Sequence, residues 1–298
     1  MYGQAGDMIR LGAAEIRSVL EMTLIGRPIA WLGAEPALIE ANRHWLAPHF
    51  LEEGDTWSLN FRSWIVQVDG ITIVVDPCTG NGRPHIMPPF DRLETPYIER
   101  FNATGVRPEH VDYVFCTHMH HDHCGWNTQL RGGRYVPTFP NARYLFLRRE
   151  YERWNPNGSN YRAVGYNEGV YERSILPVVE AGLADLVMDR HRISPSLEIE
   201  PAHGHTLGHA MLHLTTQADE AYFSGDVFHH PLQLTDPTIQ FGDCDDLAQA
   251  IATRERLVAL GLEREALIIP AHLPAPHAGH VCRAGEGVVF KALASPGG

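Results

Sequence analysis

The run THMHHDHCGW at residues 117–126 constrains this chain more than any other stretch. Residues 118–123 hold four histidines and an aspartate. Imidazole and carboxylate at that density point to a bound metal ion. The cluster follows VDYVFCT (111–117), which reads as a buried strand. Open α/β folds place functional groups just beyond the ends of such strands. His118 and His120 are two residues apart, so in an extended segment they point the same way. Where the chain then turns, Asp122 and His123 can face a second ion beside the first.

Three other polar residues also stand just past strand-like runs: His205 in PAHGHTLGH, Asp226 in FSGDVFHH and His272 in IIPAHLP. With the cluster they make five imidazoles and two carboxylates: His118, His120, Asp122, His123, His205, Asp226 and His272. That set suffices for two divalent metal ions with open positions. Zinc suits it best, and iron, manganese and cobalt are compatible. Most of the remaining histidines read as ordinary. His44, His49, His85, His110, His191, His277 and His280 are taken as surface residues, His121 as solvent-facing and His203 as solvated or packed behind the ligands. Cys124 reads as a buried thiol.

The rest of the chain alternates strands and helices. Residues 14–25 read as a strand and 35–47 as a helix with Pro36 in its first turn. SWIVQV and ITIVVD, joined by Asp69-Gly70, form a hairpin. Residues 78–92 are a Gly- and Pro-rich loop, and 95–104 a helix. ARYLFL is a strand and RREYERW a short helix; 155–167 is a polar loop, and 168–182 a helix kinked at Pro177. LEIEPA, AMLHLTT and AYFSGD are strands, 245–260 is an amphipathic helix, and ALIIPAHL is the final buried strand. No composition break divides the 298 residues, so the expectation is one domain over 1–298 with an N-terminal strand/helix extension at about 1–55.

Charge and composition exclude several classes. A net charge of -12 argues against nucleic acid and against an anionic membrane surface as partners. The first twenty residues include Asp7, Arg10, Glu15 and Arg17 and form no apolar leader. No window has the apolar length of a membrane span. Five scattered cysteines form no CxxC pair and no disulfide framework, which points to a reducing cytoplasm. A homodimer is compatible with this reading.

The order H-x-H-x-D-H, Gly-His-Thr, Gly-Asp and Ala-His resembles the metallo-β-lactamase-fold hydrolase superfamily, from the VVDP strand to His272. The resemblance implies a four-layer αβ/βα sandwich, two mixed sheets inside and helices outside. It also implies His118, His120 and His205 on one metal, Asp122, His123 and His272 on the other, and Asp226 bridging both. His209 matches a histidine that braces a ligand loop in this family.

The function it implies is binuclear metal-dependent hydrolysis, in which a metal-bridging hydroxide opens a lactone or cleaves a carboxylic ester. Asp122 would orient the nucleophile and take up a proton. Departures from other branches narrow the choice. The chain lacks the cysteine of secreted zinc β-lactamases near Asp226. It has His120 where di-iron relatives have glutamate. Its last thirty residues hold only Arg283 and Lys291 as basic residues, against the glutathione-binding pattern of glyoxalase II-like thioesterases. The remaining branch is similar to acyl-homoserine lactone lactonases and methyl parathion hydrolase. Such lactonases often carry a tyrosine three residues after the bridging aspartate; this chain has His229, a candidate hydrogen-bond donor to the substrate oxygen. Met87, Phe90, Trp126, Trp154, Tyr161 and Phe228 are candidate walls for a small neutral or apolar substrate, with Trp126 and Phe228 nearest the ligands in sequence. Phosphotriester hydrolysis on the same site is the alternative, and a nucleic-acid-processing role a more remote one.

Overall fold

The computed structural model describes residues 8–293. In chain order it begins with strands β1 (Ile9–Leu11) and β2 (Ala14–Pro28), helix α1 (Pro36–Leu46), and strands β3 (Thr56–Val68) and β4 (Ile71–Val75). Helix α2 (Tyr97–Ala103), strand β5 (Tyr113–Phe115) and the one-turn helix α3 (His121–Cys124) lead to a small hairpin, β6 (Thr128–Arg131) and β7 (Arg134–Pro137). Strand β8 (Arg143–Leu147), helices α4 (Arg148–Trp154) and α5 (Leu176–Glu180), and strand β9 (Ala184–Val187) close this half. Next come β10 (His191–Arg192), β11 (Leu197–Pro201), β12 (Ala210–Thr215), β13 (Glu220–Gly225), α6 (Leu232–Thr235), α7 (Leu247–Arg264), β14 (Leu267–Pro270), β15 (Gly279–Ala284) and β16 (Gly287–Ala292).

Two seven-stranded sheets result, ordered β1-β2-β3-β4-β5-β8-β9 and β10-β11-β12-β13-β14-β15-β16. Both are mixed. In the first, β4, β5, β8 and β9 run parallel; in the second, only β13 and β14 do.

Strand alternation builds the layers. Ile73 and Val75 of β4, Phe115 of β5 and Leu145 and Leu147 of β8 share one buried cluster with Leu212, Phe223, Leu267 and Ile269 of the second sheet. This is the core between the sheets. The intervening residues face outward. Val74, Val114, Tyr144 and Phe146 pack with Tyr97 and Phe101 of α2 and Val178 of α5. Tyr222 and Ile268 of the second sheet pack with Leu257 of α7, Leu232 of α6 and Ile39 and Leu46 of α1. The order is therefore helix, sheet, sheet, helix, the expected four-layer sandwich. Both faces of the central strands are covered, which is why their sequences are apolar without a break.

Most expected elements are present. The hairpin turn at Asp69-Gly70 has φ of 54° and 75°, the left-handed pair that a two-residue turn requires. Residues 8–55 supply β1 and β2 of the first sheet and α1 of an outer layer; residues 1–7 of the expected extension lie outside the described chain. Two expectations need correction. The 168–182 helix is a wide π-type turn, Tyr171–Ile175, running into α5, because Pro177 has no N–H to continue the α pattern. ALIIPAHL is not the last strand, since β15 and β16 follow as an antiparallel edge hairpin. Val281 opposite Phe290 is its buried pair, while much of the rest faces solvent and carries no strong apolar signal.

Candidate metal centre

All seven expected ligand residues come together at the ends of the parallel strands. Beyond β5 the chain bends at Thr117 and His118 and enters α3 directly after His120, so Asp122 and His123 sit on the helical turn. His205 comes from the β11–β12 loop, Asp226 directly follows β13, and His272 lies two residues beyond β14. His120 Nδ1 lies 2.9 Å from His118 Nε2 and 3.1 Å from His205 Nε2. Asp226 Oδ2 is 3.8 Å from His118 Nε2, 3.5 Å from His205 Nε2 and 3.3 Å from His123 Nε2. Its other oxygen, Oδ1, is 3.1 Å from His272 Nε2. Asp122 Oδ2 lies 3.6 Å from both His123 Nε2 and His272 Nε2. Asp226 thus stands between two groups of donors, one of three imidazoles and one of two imidazoles and a carboxylate. His229 joins them, with Nε2 3.1 Å from Asp226 Oδ2 and its ring stacked on His272 at 5.6 Å and 4°.

The chemistry of this donor set fits divalent cations. Burial, with the nearby His123 and His120 imidazoles, pushes His118 well below its ordinary pKa. Burial and His205 do the same to His120, and burial takes His205 to about 3. These three are neutral, the form that ligates. His123 and His272 shift upward: burial opposes this, but the Asp226 and Asp122 carboxylates outweigh it. Burial alone would raise Asp122 and Asp226; the imidazoles around them hold both below the usual carboxylate range. The two carboxylates therefore demand positive charge here, from protonated histidines or from cations that displace those protons. Asp226 Oδ1 and His123 Nε2 are buried, yet no hydrogen bond reaches either. An orphaned pair of this kind is expected where an ion completes the contacts.

The surrounding shell fixes these side chains. Asp76, after β4, accepts Thr117 N–H at 2.7 Å and Thr117 O–H at 2.8 Å, and its Oδ2 is 3.0 Å from His123 Nδ1. His272 Nδ1 donates to the Asn60 carbonyl at 3.0 Å, which turns Nε2 inward. The Asp226 N–H donates to His209 Nε2 at 3.1 Å, so His209 braces the turn. Gly225 precedes Asp226 at φ 51°, and a Cβ there would meet Thr117 Oγ1 at 2.6 Å and His209 Nε2 at 2.8 Å. Glu150 of α4 accepts Met119 N–H, Trp154 Nε1–H, Thr206 O–H and Gly208 N–H at 2.7–3.0 Å, which ties the first loop to the His205 loop.

A cavity of about 370 Å³ opens above the centre. Leu24, Leu59, Phe61, Met87, Phe90 and Phe241 form its apolar side; His120, Asp122, Asp226, His229 and His272 form its floor. Met87 and Phe90 lie where the sequence suggested. Trp126 and Phe228 do not: Trp126 stacks on Tyr97 and donates to Glu21 at 2.6 Å, and Phe228 packs on Phe290. Trp154 and Tyr161 line a neighbouring cavity. His121 is buried rather than solvent-facing, 4.2 Å from the His85 ring and 4.7 Å from Phe90, so both His121 and His85 belong to the site region. Cys124 is buried, its thiol donating to the His120 carbonyl at 3.2 Å. Sequence reasoning missed Asp76, Glu150 and Tyr166; the Asp of VVDP was the only one with a visible signal, its place at a strand end. Among the described residues no helix is long and apolar enough to cross a membrane.

No curated protein matches the chain. Its fold is shared with solved structures across nearly the whole length. The hydrolase AbOPH of the beta lactamase superfamily is 21% identical, with a TM-score of 0.80 and 99% of both chains covered. AidC, a dizinc quorum-quenching lactonase solved with a product, is 17% identical, with a TM-score of 0.76, covering 97% of this chain and 98% of that one. An N-acyl homoserine lactone hydrolase with N-hexanoyl-L-homoserine at its catalytic metal center is 15% identical, with a TM-score of 0.58, covering 88% and 94%. At these identities the likeness is one of fold. The sequence model of the metallo-beta-lactamase superfamily matches residues 62–272, the span from β3 to the last of the converging histidines. The chain belongs to the metallo-β-lactamase superfamily, as a metal-dependent hydrolase.

Proposed function

We propose that the chain opens a lactone or cleaves a carboxylic ester at a centre of two divalent cations, with zinc the favoured metal. One observation carries this reading: the donor group His118, His120, His205 and Asp226 adjoins the group Asp122, His123 and His272, with Asp226 3.3 Å from His123 and 3.1 Å from His272, at the floor of an apolar-sided cavity. His118, His120, His205 and Asp226 would hold one ion; Asp122, His123, His272 and Asp226 the other. Such ions supply Lewis acidity toward an acyl oxygen and a nucleophile derived from water at neutral pH.

The chain's own groups do the rest. Asp122 is the less enclosed carboxylate and borders the cavity, where it can orient the attacking group and take up its proton. His229 borders the same floor and is a second polar group within reach of substrate. The apolar side accepts a neutral acyl or aryl group and offers no track for a phosphodiester backbone. Fold neighbours that are lactonases agree with this reading. Five free cysteines, three of them buried, suit a reducing cytoplasm.

The test is hydrolysis by metal-quantified protein across lactones, aryl esters, phosphotriesters and β-lactams. Lactones and carboxylic esters should give the highest kcat/KM. A clear preference for phosphotriesters would replace this reading, and no turnover at full metal occupancy would defeat it.

A further inference from the structure

Tyr166 stands on a short turn, Gly165–Asn167, that no sequence pattern marked. The turn is anchored to the centre. Asn167 Nδ2 donates to the Met119 carbonyl at 2.9 Å, between His118 and His120. His85 Nε2 meets the Tyr166 carbonyl at 2.8 Å. The phenol is therefore held in place, half-buried, with its ring at 82° to His120 and 5.4 Å away.

Its hydroxyl lies 3.3 Å from His120 Nε2. The other nitrogen of that ring, Nδ1, is the one that converges with His118 and His205. With Nδ1 on a metal ion it would carry no proton, so the His120 proton would reside on Nε2 and be donated to Tyr166 Oη. That bond uses a lone pair of the oxygen and leaves its O–H free. No other hydrogen bond reaches Oη among the described residues. Tyr166 also borders the same cavity as Asp226, His229 and His272. It approaches from the side of His120.

We propose that Tyr166 is a further catalytic residue, whose free O–H donates a hydrogen bond to the substrate's acyl oxygen as negative charge develops there. This rests on the ester or lactone reading above. A neutral donor fixed beside an apolar wall suits this role, because it needs no reorganisation as charge appears. His229 Nε2 already faces the Asp226 carboxylate at 3.1 Å.

Tyr166→Phe removes the hydroxyl and keeps the ring. In metal-loaded protein, kcat and kcat/KM on the best ester should fall by about 10- to 100-fold, less than for a sole donor because cations share the charge. Bound metal and thermal midpoint should not change. Inorganic phosphate serves as a tetrahedral oxyanion probe by calorimetry, and its affinity should fall by about 10-fold in the variant. This second arm reports on Tyr166 even if no ester in the panel is turned over, so the two proposals fail separately. Equal phosphate affinity in the two proteins overturns the assignment, as does failure of wild type to bind phosphate. Loss of metal in Tyr166→Phe also overturns it, since the hydroxyl would then act through His120 and not on substrate.

Discussion

Glu150 accepts the backbone N–H of Met119 at 2.8 Å, across 31 residues of sequence. Met119 lies between His118 and His120, and the other carboxylate oxygen takes Thr206 O–H at 2.7 Å and Gly208 N–H at 3.0 Å, just past His205. One buried side chain therefore sets the spacing of three proposed ligands. Burial raises its pKa, while these donors and Trp154 favour the ionised form. Glu150→Ala should weaken metal affinity by about 10- to 100-fold, in the range seen when a ligand's outer partner is lost. Glu150→Gln should keep part of it, because one oxygen still accepts. Chelator competition measures both, and wild-type affinity in Glu150→Ala would remove the role.

Asp226 faces both donor groups, so its loss should cost more than one contact. Asp226→Ala is expected to abolish activity and release at least one ion with the fold retained. Circular dichroism and elemental analysis on the same sample decide this. Full activity in the variant would end the assignment of Asp226 as the shared ligand.

Protein purified without chelator should carry close to two transition-metal ions per chain. Loading the metal-free protein should release protons, because the neighbouring carboxylates shift His123 and His272 upward and favour their protonated forms until a cation replaces that charge. Calorimetry in buffers of different ionisation enthalpy counts those protons. A stable occupancy of one ion, or loading with no proton release, would contradict the two-ion centre.

The convergence of the proposed ligands was legible in the sequence because their chemistry is visible at the strand ends and loops that present them. His118, His120, Asp122 and His123 stood out by density alone; the expected extended segment is instead bent at His118 and His120 before α3 begins. Their supports were not legible. Glu150 and Tyr166 look like ordinary members of a short helix and a polar loop, and only long-range packing brings them to the ligands. Nearness in sequence misled for Trp126 and Phe228. Each follows a ligand closely, but the backbone turns its ring into a core cluster on an outer face of the sandwich. The β15–β16 hairpin escaped because an edge strand facing solvent mixes polar residues into its pattern.

The Asp69-Gly70 turn also ties the two sheets together. Asp69 accepts Ser194 O–H at 2.7 Å and Ser196 N–H at 2.9 Å, ahead of β11. These bonds hold its carboxyl below the usual range. The unfolded chain therefore takes up this proton first, at about pH 4, as acid is added. The stability from Asp69 should be complete above that pH and fade as pH falls through the lower folded value. Asp69→Asn tolerates the left-handed backbone but lacks the charge. The gap in urea midpoint between wild type and variant should be constant from neutral pH down to about pH 5 and shrink below it. A gap that stays constant into acid would rule out this linkage.

His229 has two roles open to it in the same geometry. Its Nε2 is 3.1 Å from Asp226 Oδ2, its ring stacks on His272, and it borders the cavity floor. As a group acting on substrate, it should affect turnover and leave the metals alone. As a brace for Asp226, it should affect metal retention first. The expected outcome of His229→Ala is a fall in kcat and kcat/KM together, up to the 10²–10³-fold typical of a lost donor, about 10-fold if Tyr166 shares the task. Both ions should remain bound, and the Tyr166→Phe/His229→Ala double variant should lose more than either alone. Steady-state kinetics per metal-loaded site separates the two roles. Unchanged kcat with normal metal content would leave His229 as packing alone, and metal loss with normal kcat in the loaded fraction would make it the brace.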